Sequence, residues 1–427
     1  MGIKALNTFL KEHCSDAFGN LSIDILGGYR LAVDAFGWFY TRLKAAAKTV
    51  IFRMNDPTAP INRKEILDIV SKELVNFIIG WQNYRVTLVW CWDGQPVPEK
   101  IEFAKKKRNK DKEKAREELE ELKRFFASIN PLSRSVEQIK RYKDLLVRCY
   151  SFIDGEMPYF RNFIEDLGYP SLQAKNEGEK LASALAREGL CYGVWSDDTD
   201  NYPLGTPLTI TGFAGMHEGK QMMSVVMLHK LIEGLSRTAE WNLTQFNLID
   251  FCILCGTDFN DNMKGVAVGN AWKLIKKYGI IEYIAMYEPS KPIATLNHIR
   301  VREIFNYEPS GFVHESKELF HNKEWFNKNI MNMCMKYGLE TLYQELIAST
   351  AMTTPPLKIN MTPANSTNLI QPLENKVKLD PSIQMKQRIT EAENTLLSTQ
   401  YSSTNNLEFQ GQKIIPVDLY TCIPSLD

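Results

Sequence analysis

The stretch that decides the fold is residues 173–205, which read QAKNEGEKLASALAREGLCYGVWSDDTDNYPLG. Its pattern predicts a short helix over 177–188, with Asn176 as its cap and Gly189 at its end. The apolar run over 190–195 then predicts a buried strand. Acidic side chains stand at both ends of this unit, and carboxylates so close together repel one another unless a positive charge lies between them.

The same arrangement occurs twice earlier in the chain. Residues 29–34 and 84–93 each read as an apolar strand that ends in an acid, Asp34 in the first and Asp93 in the second. A single aspartate between a strand and a turn is common. Here helical patterns separate the strands, which predicts an α/β fold whose parallel sheet is covered on both faces. The carboxyl ends of parallel strands share one rim, so we expect the acids to converge there.

Composition narrows the classes of function. The chain has 427 residues, 44% of them hydrophobic, and a formal net charge of zero. It can bury a large core, but any basic surface for nucleic acid must be local. No apolar run is long enough to span a membrane, and the first ten residues lack the core of a signal peptide. The scattered cysteines, including Cys252 and Cys255, are expected to be buried thiols in a soluble protein of a reducing compartment.

A strongly basic run covers residues 100–116 and follows the second strand-end acid. Most charge runs are solvated helices with Glu–Lys pairs. The position of this run beside Asp93 favours a segment that guides a polyanion to metal ions. Its cations cluster at Lys105, Lys106, Lys107 and Arg108.

A second candidate for phosphate binding lies at residues 263–279. Gly265 and Gly269 bracket a tight turn that opens a helix near Asn270, flanked by Lys264 and Lys273. Free N–H groups at a helix start bind phosphate without reading bases. An ordinary helix–turn–helix packing element explains the pattern equally well, so both interpretations stay open.

Seven acids are candidate ligands of divalent ions, namely Asp34, Asp93, Glu177, Glu179, Asp198, Asp200 and Asp258. An all-oxygen set selects Mg²⁺ or Mn²⁺ over zinc. Seven acids exceed what one Mg²⁺ requires, which favours a pair of ions about 3.5–4 Å apart. The structural alternative for Glu179 is a capping box with Asn176. Asp197 is the weakest acid of its cluster, because the Asp-x-Asp spacing selects its two neighbours.

Taken together, these motifs resemble the XPG/flap-endonuclease family of structure-specific 5′ nucleases, within the PIN-like superfamily, from residue 1 to about 290. The motifs are MGI at 1–3, LAVDA ending at 35, WDG at 92–94, EGE at 177–179, DTD at 198–200, CGTD at 255–258 and GVAVGNA at 265–271. The resemblance implies a PIN-like core with a mostly parallel sheet flanked by helices, a helical arch and a helix–two-turn–helix DNA-binding element. It places the core at 1–98 and 151–260, the arch at 99–150 and the helical C-terminal region at 261–348. Residues 349–427 are dominated by Thr, Pro, Asn, Ser and Gln, a composition that predicts a disordered tail.

The resemblance also implies residue roles. The seven acids would hold two Mg²⁺ ions, for which Mn²⁺ can substitute. In the catalytic set that it implies, Gly2, Lys100 and Lys106 would lie at the scissile phosphate, with Lys105 or Lys107 as the alternative second cation, and Tyr40 would stack on a base beside the cut. The implied DNA-binding set is Lys105, Lys107, Arg108, Lys264, Gly265, Gly269 and Lys273. Ala267 stands where the family usually has glycine, which weakens the case for a bound monovalent ion at that turn.

The implied activity is metal-dependent cleavage of DNA at 5′ flaps or single/double-strand junctions, with 5′→3′ exonuclease activity, in replication, repair or recombination. The alternatives are a 5′→3′ exonuclease on DNA or RNA, or a non-catalytic DNA-binding scaffold. We expect a monomer that binds junction DNA and no membrane. A sliding clamp is a weak candidate partner, because QKII at 412–415 lacks the aromatic pair. The divergent arch and tail suit a large DNA virus. The expected location is the nucleus, or a cytoplasmic replication site if the protein is viral.

Overall fold

A seven-stranded sheet lies at the centre of the part of the chain that the computed structural model describes, residues 2–3, 5–263, 265–306 and 330–353. Its strands are β1 (Phe18–Ser22), β2 (Arg30–Asp34), β3 (Thr87–Trp92), β4 (Ser171–Gln173), β5 (Gly193–Trp195), β6 (Leu208–His217) and β7 (Lys220–Met227). The strand order is β1-β7-β6-β5-β2-β3-β4. The pairs from β6 to β4 are parallel, whereas β7 pairs antiparallel with β6 and β1. The predicted α/β fold with a mostly parallel sheet is confirmed.

Helices cover the sheet and extend beyond it. They are α1 (Leu6–His13), α2 (Ala35–Arg53), α3 (Arg63–Asn83), α4 (Pro98–Lys100), α5 (Lys106–Ser128), α6 (Val136–Cys149), α7 (Glu156–Asp166), α8 (Gly178–Arg187), α9 (Leu228–Ala239), α10 (Gln245–Cys255), α11 (Val268–Tyr278), α12 (Ile281–Tyr287), α13 (His298–Phe305), α14 (Ile330–Lys336) and α15 (Glu340–Thr353). A π-helical turn, Ile101–Lys105, joins α4 to α5. None of the described helices combines the length and apolar character needed to cross a bilayer.

Alternate side chains of β2 enter two different cores. Leu31 and Val33 pack with α2, α3 and α7 on one face of the sheet, while Ala32 packs with α8 on the other. This follows from the two-residue period of an extended strand. Because both faces are buried, the central strands are almost entirely apolar, as the sequence pattern indicated.

A third core joins α1, α9, α10, α11, α12 and α13. A buried ion pair ties its last helix to α10, since Arg302 donates from Nε and Nη2 to the two carboxylate oxygens of Asp250, each at 2.6 Å. Arg302 also bonds Glu282 of α12. Three helices of this region are therefore held by one guanidinium.

Residues 173–205 fold differently from the prediction in two details. Asn176 does not cap α8, because its Nδ2 donates to the Gln95 carbonyl at 2.9 Å, and the residue at the cap position is Glu177, whose side chain makes no capping bond. The predicted strand over 190–195 shrinks to β5. The N–H groups of Leu190 and Cys191 both donate to the Leu185 carbonyl, so this backbone still belongs to the helix end.

Other boundaries also moved. The sequence also predicts short strands over 207–212 and 222–228, joined by a hairpin around 215–219. In the structure both strands are longer, and β6 and β7 form the hairpin with a tight turn at Glu218 and Gly219. Residues 247–255, which the sequence left open between helix and strand, lie in the helix α10. Helix α15 continues to Thr353, inside the range expected to be tail. Residues 354–427 lie outside the described residues, and the domain bounds stay predictions.

Candidate active site

The end of β2 and the end of β3 each place an aspartate on the same rim of the sheet. Asp34 ends β2 and caps α2, where its Oδ1 accepts a hydrogen bond from the Gly37 N–H at 3.2 Å. Asp93 follows β3, and its Oδ1 accepts from the Gly178 N–H at 2.7 Å. The second bond joins the end of β3 to the start of α8, so the acids of both elements lie together.

A close backbone approach makes this junction possible. A Cβ atom on Gly178 would lie 2.5 Å from the carbonyl oxygen of Cys91, and one on Gly94 would lie 2.2 Å from that of Ala174. Neither distance is compatible with a side chain, so glycine is required for α8 to begin against the end of β3. Sequence reasoning used the acids around Gly178 but not this glycine.

The acids at the two ends of the 177–200 stretch are joined by hydrogen bonds. Asn201 donates from Nδ2 to Glu179 Oε1 at 3.0 Å and to the Asp198 carbonyl at 3.1 Å, and the Asp200 N–H donates to Asp198 Oδ1 at 3.2 Å. The capping box predicted for Glu179 is therefore wrong, because its carboxylate faces Asn201. Asp197 is exposed, whereas Asp198 and Asp200 are 8% and 4% exposed, and the role of these two residues as ligands stays a prediction.

Crowding of buried carboxylates raises their pKa values. Burial, with the charge of Asp93 added, raises the pKa of Asp34 to about 7. Burial and then the charge of Asp198 raise the pKa of Asp200 and of Glu179 well above the ordinary value. This is the expected behaviour of acids that lack sufficient positive charge around them.

Two cations of the basic run reach into the acids. Lys100 Nζ pairs with Glu177 Oε2, and Arg108 Nη2 pairs with Asp258 Oδ2 at 2.6 Å. Burial lowers the pKa of Lys100, but the charge and hydrogen bond of Glu177 outweigh it and raise that pKa above the ordinary value. The predicted juxtaposition of the basic run with the acids is therefore present at these two residues. Lys105 and Lys106 are exposed at the end of the π turn and the start of α5, and Lys107 lies in α5.

The donor chemistry of the rim fits a hard divalent cation. The Oε1 atom of Glu177 and the Oδ1 atom of Asp200 are buried without a hydrogen-bond partner in the structure. Such atoms are costly unless a partner of opposite charge is present. Among the described residues no three His, Cys, Asp or Glu side chains stand in the arrangement of a metal site. Lys100 and Arg108 pair with two of the seven acids, Glu177 and Asp258, and the ligand set stays a prediction.

Tyr40 lies in the second turn of α2, the helix that Asp34 caps. Its ring stacks on Phe36, with centroids 6.0 Å apart and planes inclined by 11°. Lys44 Nζ lies 5.3 Å and Lys112 Nζ 5.9 Å from the centre of the Tyr40 ring. The spacing of four residues could have predicted the contacts with Phe36 and Lys44. No sequence signal pointed to Lys112, which arrives from α5.

Gly2 lies against Asp198 of the acidic rim, and its role at the scissile phosphate stays a prediction. A Cβ atom at this position would stand 2.1 Å from Asp198 Oδ1 and 2.3 Å from Thr199 Oγ1, and φ is +82°. The Ile3 N–H donates to Thr199 Oγ1 at 2.6 Å, which fixes the segment in place. Glycine is the residue that this contact and this backbone conformation allow.

The candidate phosphate-binding turn opens α11. The helix begins at Val268, two residues before the predicted start. The residue at its cap position is Ala267, whose side chain cannot accept a hydrogen bond, so no side chain caps the helix. Gly265 has a φ of +77° and Gly269 lies in the first turn, with open space around both. Lys273 is exposed, and Lys264 lies outside the described residues. Free N–H groups at an uncapped helix start suit a phosphate.

Sequence reasoning missed Lys180, which directly follows a proposed ligand. This side chain is 4% exposed, and its Nζ lies 4.6 Å from the centre of the Phe259 ring. Burial lowers the pKa of Lys180 to about 8. A lysine in an amphipathic helix is normally placed on the solvent face, so its burial beneath the acids could not be foreseen.

Comparison with known proteins yields two family matches. Residues 1–115 match the XPG N-terminal domain and residues 168–258 match the XPG I-region. Among curated relatives, flap endonuclease 1 of Cryptosporidium muris is 28% identical over 341 residues, 77% of this chain and 67% of the relative. Flap endonuclease 1 of Debaryomyces hansenii is 26% identical over 350 residues, 81% of this chain and 83% of the relative.

Some related chains are considerably longer than this one. The chain spans 60%, 53% and 52% of the length of three further flap endonuclease 1 relatives, from Cryptosporidium parvum, Theileria parva and Theileria annulata. Among solved structures, flap endonuclease-1 from Methanococcus jannaschii superposes with a TM-score of 0.45 at 20% identity, over 78% of this chain and 97% of that one. The superposition is partial, so the family assignment rests on the sequence matches.

Proposed function

Because this chain belongs to the XPG/flap-endonuclease family, we propose that it is a structure-specific nuclease that hydrolyses phosphodiester bonds of DNA at 5′ flaps or single/double-strand junctions. It would also remove nucleotides from 5′ ends. The observation that carries the proposal is the meeting of acids from β2, β3 and α8 on one rim, with Lys100 and Arg108 inserted among them. All seven acids fall within the two matched regions.

Two Mg²⁺ ions are the proposed cofactors, with Mn²⁺ able to replace them. Bound between the seven acids, such a pair would activate a water molecule and stabilise the leaving oxygen. The carboxylate of Asp198 is already oriented, because its Oδ1 accepts a hydrogen bond from the Asp200 N–H. The partnerless oxygens of Glu177 and Asp200 supply free ligand atoms.

Cations and a pair of aromatic rings would bind the DNA. Lys100 and Arg108 carry charge to the place where a phosphate must lie, and both can exchange a carboxylate for a phosphate oxygen. Tyr40, stacked on Phe36, offers a face for a base at the cut, and the uncapped start of α11 offers N–H groups to the duplex backbone. These contacts read shape and phosphate, so base sequence would matter little.

The decisive experiment replaces one acid and uses its neighbour as the control. We expect Asp200→Asn to abolish Mg²⁺-dependent cleavage of a 5′-flap DNA while leaving binding of that DNA largely intact. Asp197→Asn should cleave like the wild type, because Asp197 is exposed and outside the bonded cluster. Cleavage by the Asp200 variant at the wild-type rate would refute the assignment.

Flap cleavage and 5′-exonuclease activity on DNA or RNA would use the same acids. They differ in the nucleic acid that the site binds. A side-by-side assay on flap, nicked, bubble and single-stranded RNA substrates separates a flap endonuclease from a DNA or RNA 5′-exonuclease. A non-catalytic scaffold would take up no Mn²⁺ in calorimetry. The buried, partnerless carboxylate oxygens favour the nuclease over the scaffold.

The oligomeric state, the cellular location and the protein partners remain to be assigned. We propose that the protein acts as a monomer on junction DNA, in the nucleus or at a cytoplasmic replication site. Light scattering with and without DNA measures the oligomeric state. Microscopy of a tagged chain in its host shows the cellular location. A sliding clamp remains a weak candidate partner.

A further inference from the structure

Lys180 carries a buried positive charge into the acidic rim, the edge of the sheet where the proposed ligands meet. It lies in the first turn of α8, three residues after Glu177, and residues at this spacing share one face of a helix. Its side chain is 4% exposed. Its Nζ atom lies 4.6 Å from the centre of the ring of Phe259, the residue that follows Asp258. The ammonium group therefore joins the start of α8 to the segment that carries Asp258.

The aromatic ring that faces this charge is fixed in place. Phe259 is 3% exposed, and its ring packs edge-on against Phe305 with centroids 5.5 Å apart. A cation over an aromatic face gains electrostatic energy, but less than a buried ammonium group loses when it leaves water. With the described residues Lys180 forms no hydrogen bond and no close ion pair that would make up the difference. The remaining compensation comes from the charge of the acids nearby.

Three carboxylates supply that compensation. Burial lowers the pKa of Lys180 to about 8, while the charge of Glu177 and, less strongly, those of Glu179 and Asp200 oppose the lowering. The amine is therefore mostly protonated at neutral pH. All three acids belong to the proposed ligand set. The charges that keep Lys180 ionised would also attract a divalent ion, so the ammonium group and the ions depend on the same acids.

Lys180 differs from the other lysine among these acids in what it can reach. Lys100 projects from α4 with 17% of its side chain exposed, and it can exchange the carboxylate of Glu177 for a phosphate oxygen. Lys180 is enclosed by α8 and the Phe259 ring, so its charge has no path to a phosphate. A positive charge that stays among acids lowers their attraction for any further cation.

We propose that Lys180 is the fixed counter-cation of the acidic rim, which offsets part of the repulsion among the acids in the metal-free protein and weakens their binding of divalent ions. The part concerning the ions rests on the proposed function, whereas the balance of charge does not. Lys180 thus has two opposite effects. It stabilises the crowded carboxylates before metal binds, and it raises the concentration of Mg²⁺ at which the site fills.

Calorimetric titration of the full-length protein with Mn²⁺ tests the effect on metal binding. We expect Lys180→Met and Lys180→Gln each to bind Mn²⁺ about tenfold more tightly than the wild type, because either change removes one positive charge from the rim. The Mg²⁺ concentration for half-maximal cleavage of a 5′-flap DNA should fall by a similar factor. Lys175→Met is the matched control, since Lys175 is exposed two residues before Glu177 and should leave Mn²⁺ binding unchanged. Unchanged or weaker Mn²⁺ binding by both Lys180 variants would overturn the proposal.

Unfolding by urea in the presence of EDTA tests the balance of charge without metal. A lysine with a merely structural role would change the unfolding equilibrium constant by the same factor whether or not a nearby acid is charged. We expect the factor by which Lys180→Met raises this constant to be at least about threefold larger in the wild-type background than in Glu177→Gln, because the two charges are coupled. Equal factors in the two backgrounds would overturn the counter-cation role.

The two experiments separate this inference from the function on which part of it rests. Failure of the wild type to take up Mn²⁺ would refute the proposed function together with the part that concerns the ions. The coupling between Lys180 and Glu177 in EDTA would then still decide the balance of charge. Normal uptake by the wild type with the same affinity in both Lys180 variants would overturn this inference and leave the proposed function standing.

Discussion

Lys100 and Glu177 form a buried ion pair inside the acidic rim, with 17% and 5% of their side chains exposed. The pair joins the end of α4 to the residue at the cap position of α8. Only one carboxylate oxygen of Glu177 takes part, because its Oε1 has no hydrogen-bond partner in the structure. Lys100 therefore stands where a metal ion and a phosphate would both have to be accommodated.

Removing this lysine should separate catalysis from metal binding. We expect Lys100→Met to lower single-turnover cleavage of a 5′-flap DNA by about 10²–10³-fold, the usual loss when one donor to a developing charge is removed. Mn²⁺ binding, measured by calorimetry, should be as strong or stronger, because the lysine no longer competes for Glu177. A cleavage rate within threefold of the wild type would contradict the role of Lys100.

Arg108 should contribute to DNA binding more than to stability. Its pair with Asp258 is partly exposed, with 49% and 20% of the two side chains accessible, and such pairs are worth about 0–1 kcal/mol. We expect Arg108→Met to weaken binding of all flap sequences alike and to reduce the salt slope by about 1. Arg141→Met is the control, since it removes the pair with Glu118 of α5. An unchanged salt slope for Arg108→Met would show that Arg108 meets no phosphate.

Arg302 should be the stability determinant of the C-terminal helices. Its partner Asp250 is fully buried, so Arg302→Met leaves a carboxylate without its counter-charge. The expected loss is about 3–5 kcal/mol of the free energy of unfolding, measured in urea. The matched variant Arg300→Met removes more exposed pairs with Glu99 and Glu303 and should cost under about 1 kcal/mol. Equal losses for the two variants would contradict the assignment.

Gly178 should tolerate no side chain. Its substitution by alanine places a Cβ 2.5 Å from the Cys91 carbonyl and pushes α8 away from Asp93. We expect Gly178→Ala to lose about 1–3 kcal/mol of unfolding free energy, together with cleavage activity. Gly269→Ala, at another helix start, meets nothing within 4 Å and should leave the unfolding free energy unchanged or higher. Wild-type stability of Gly178→Ala would show that the helix can shift freely.

Local patterns in the sequence determined the sheet and most of its acids. Runs of apolar residues that end in Asp34, Asp93 and the 197–200 cluster are visible because strand burial imposes a pattern on consecutive residues. The parallel arrangement followed from the helices between them. The choice of Asp198 and Asp200 over Asp197 also followed from spacing, and both chosen residues are buried.

Tertiary structure alone decided which distant groups meet. Asn176 donates a hydrogen bond to the Gln95 carbonyl instead of capping α8, and Glu179 accepts one from Asn201. Both partners are distant in sequence and are brought close by the fold. Lys44 meets a carbonyl 103 positions away along the chain. A helical pattern shows which face is apolar, but it does not say which helix end a long flexible amine will reach. Such contacts depend on the packing of whole elements, and packing is set by the sum of many weak interactions that no short stretch of sequence contains.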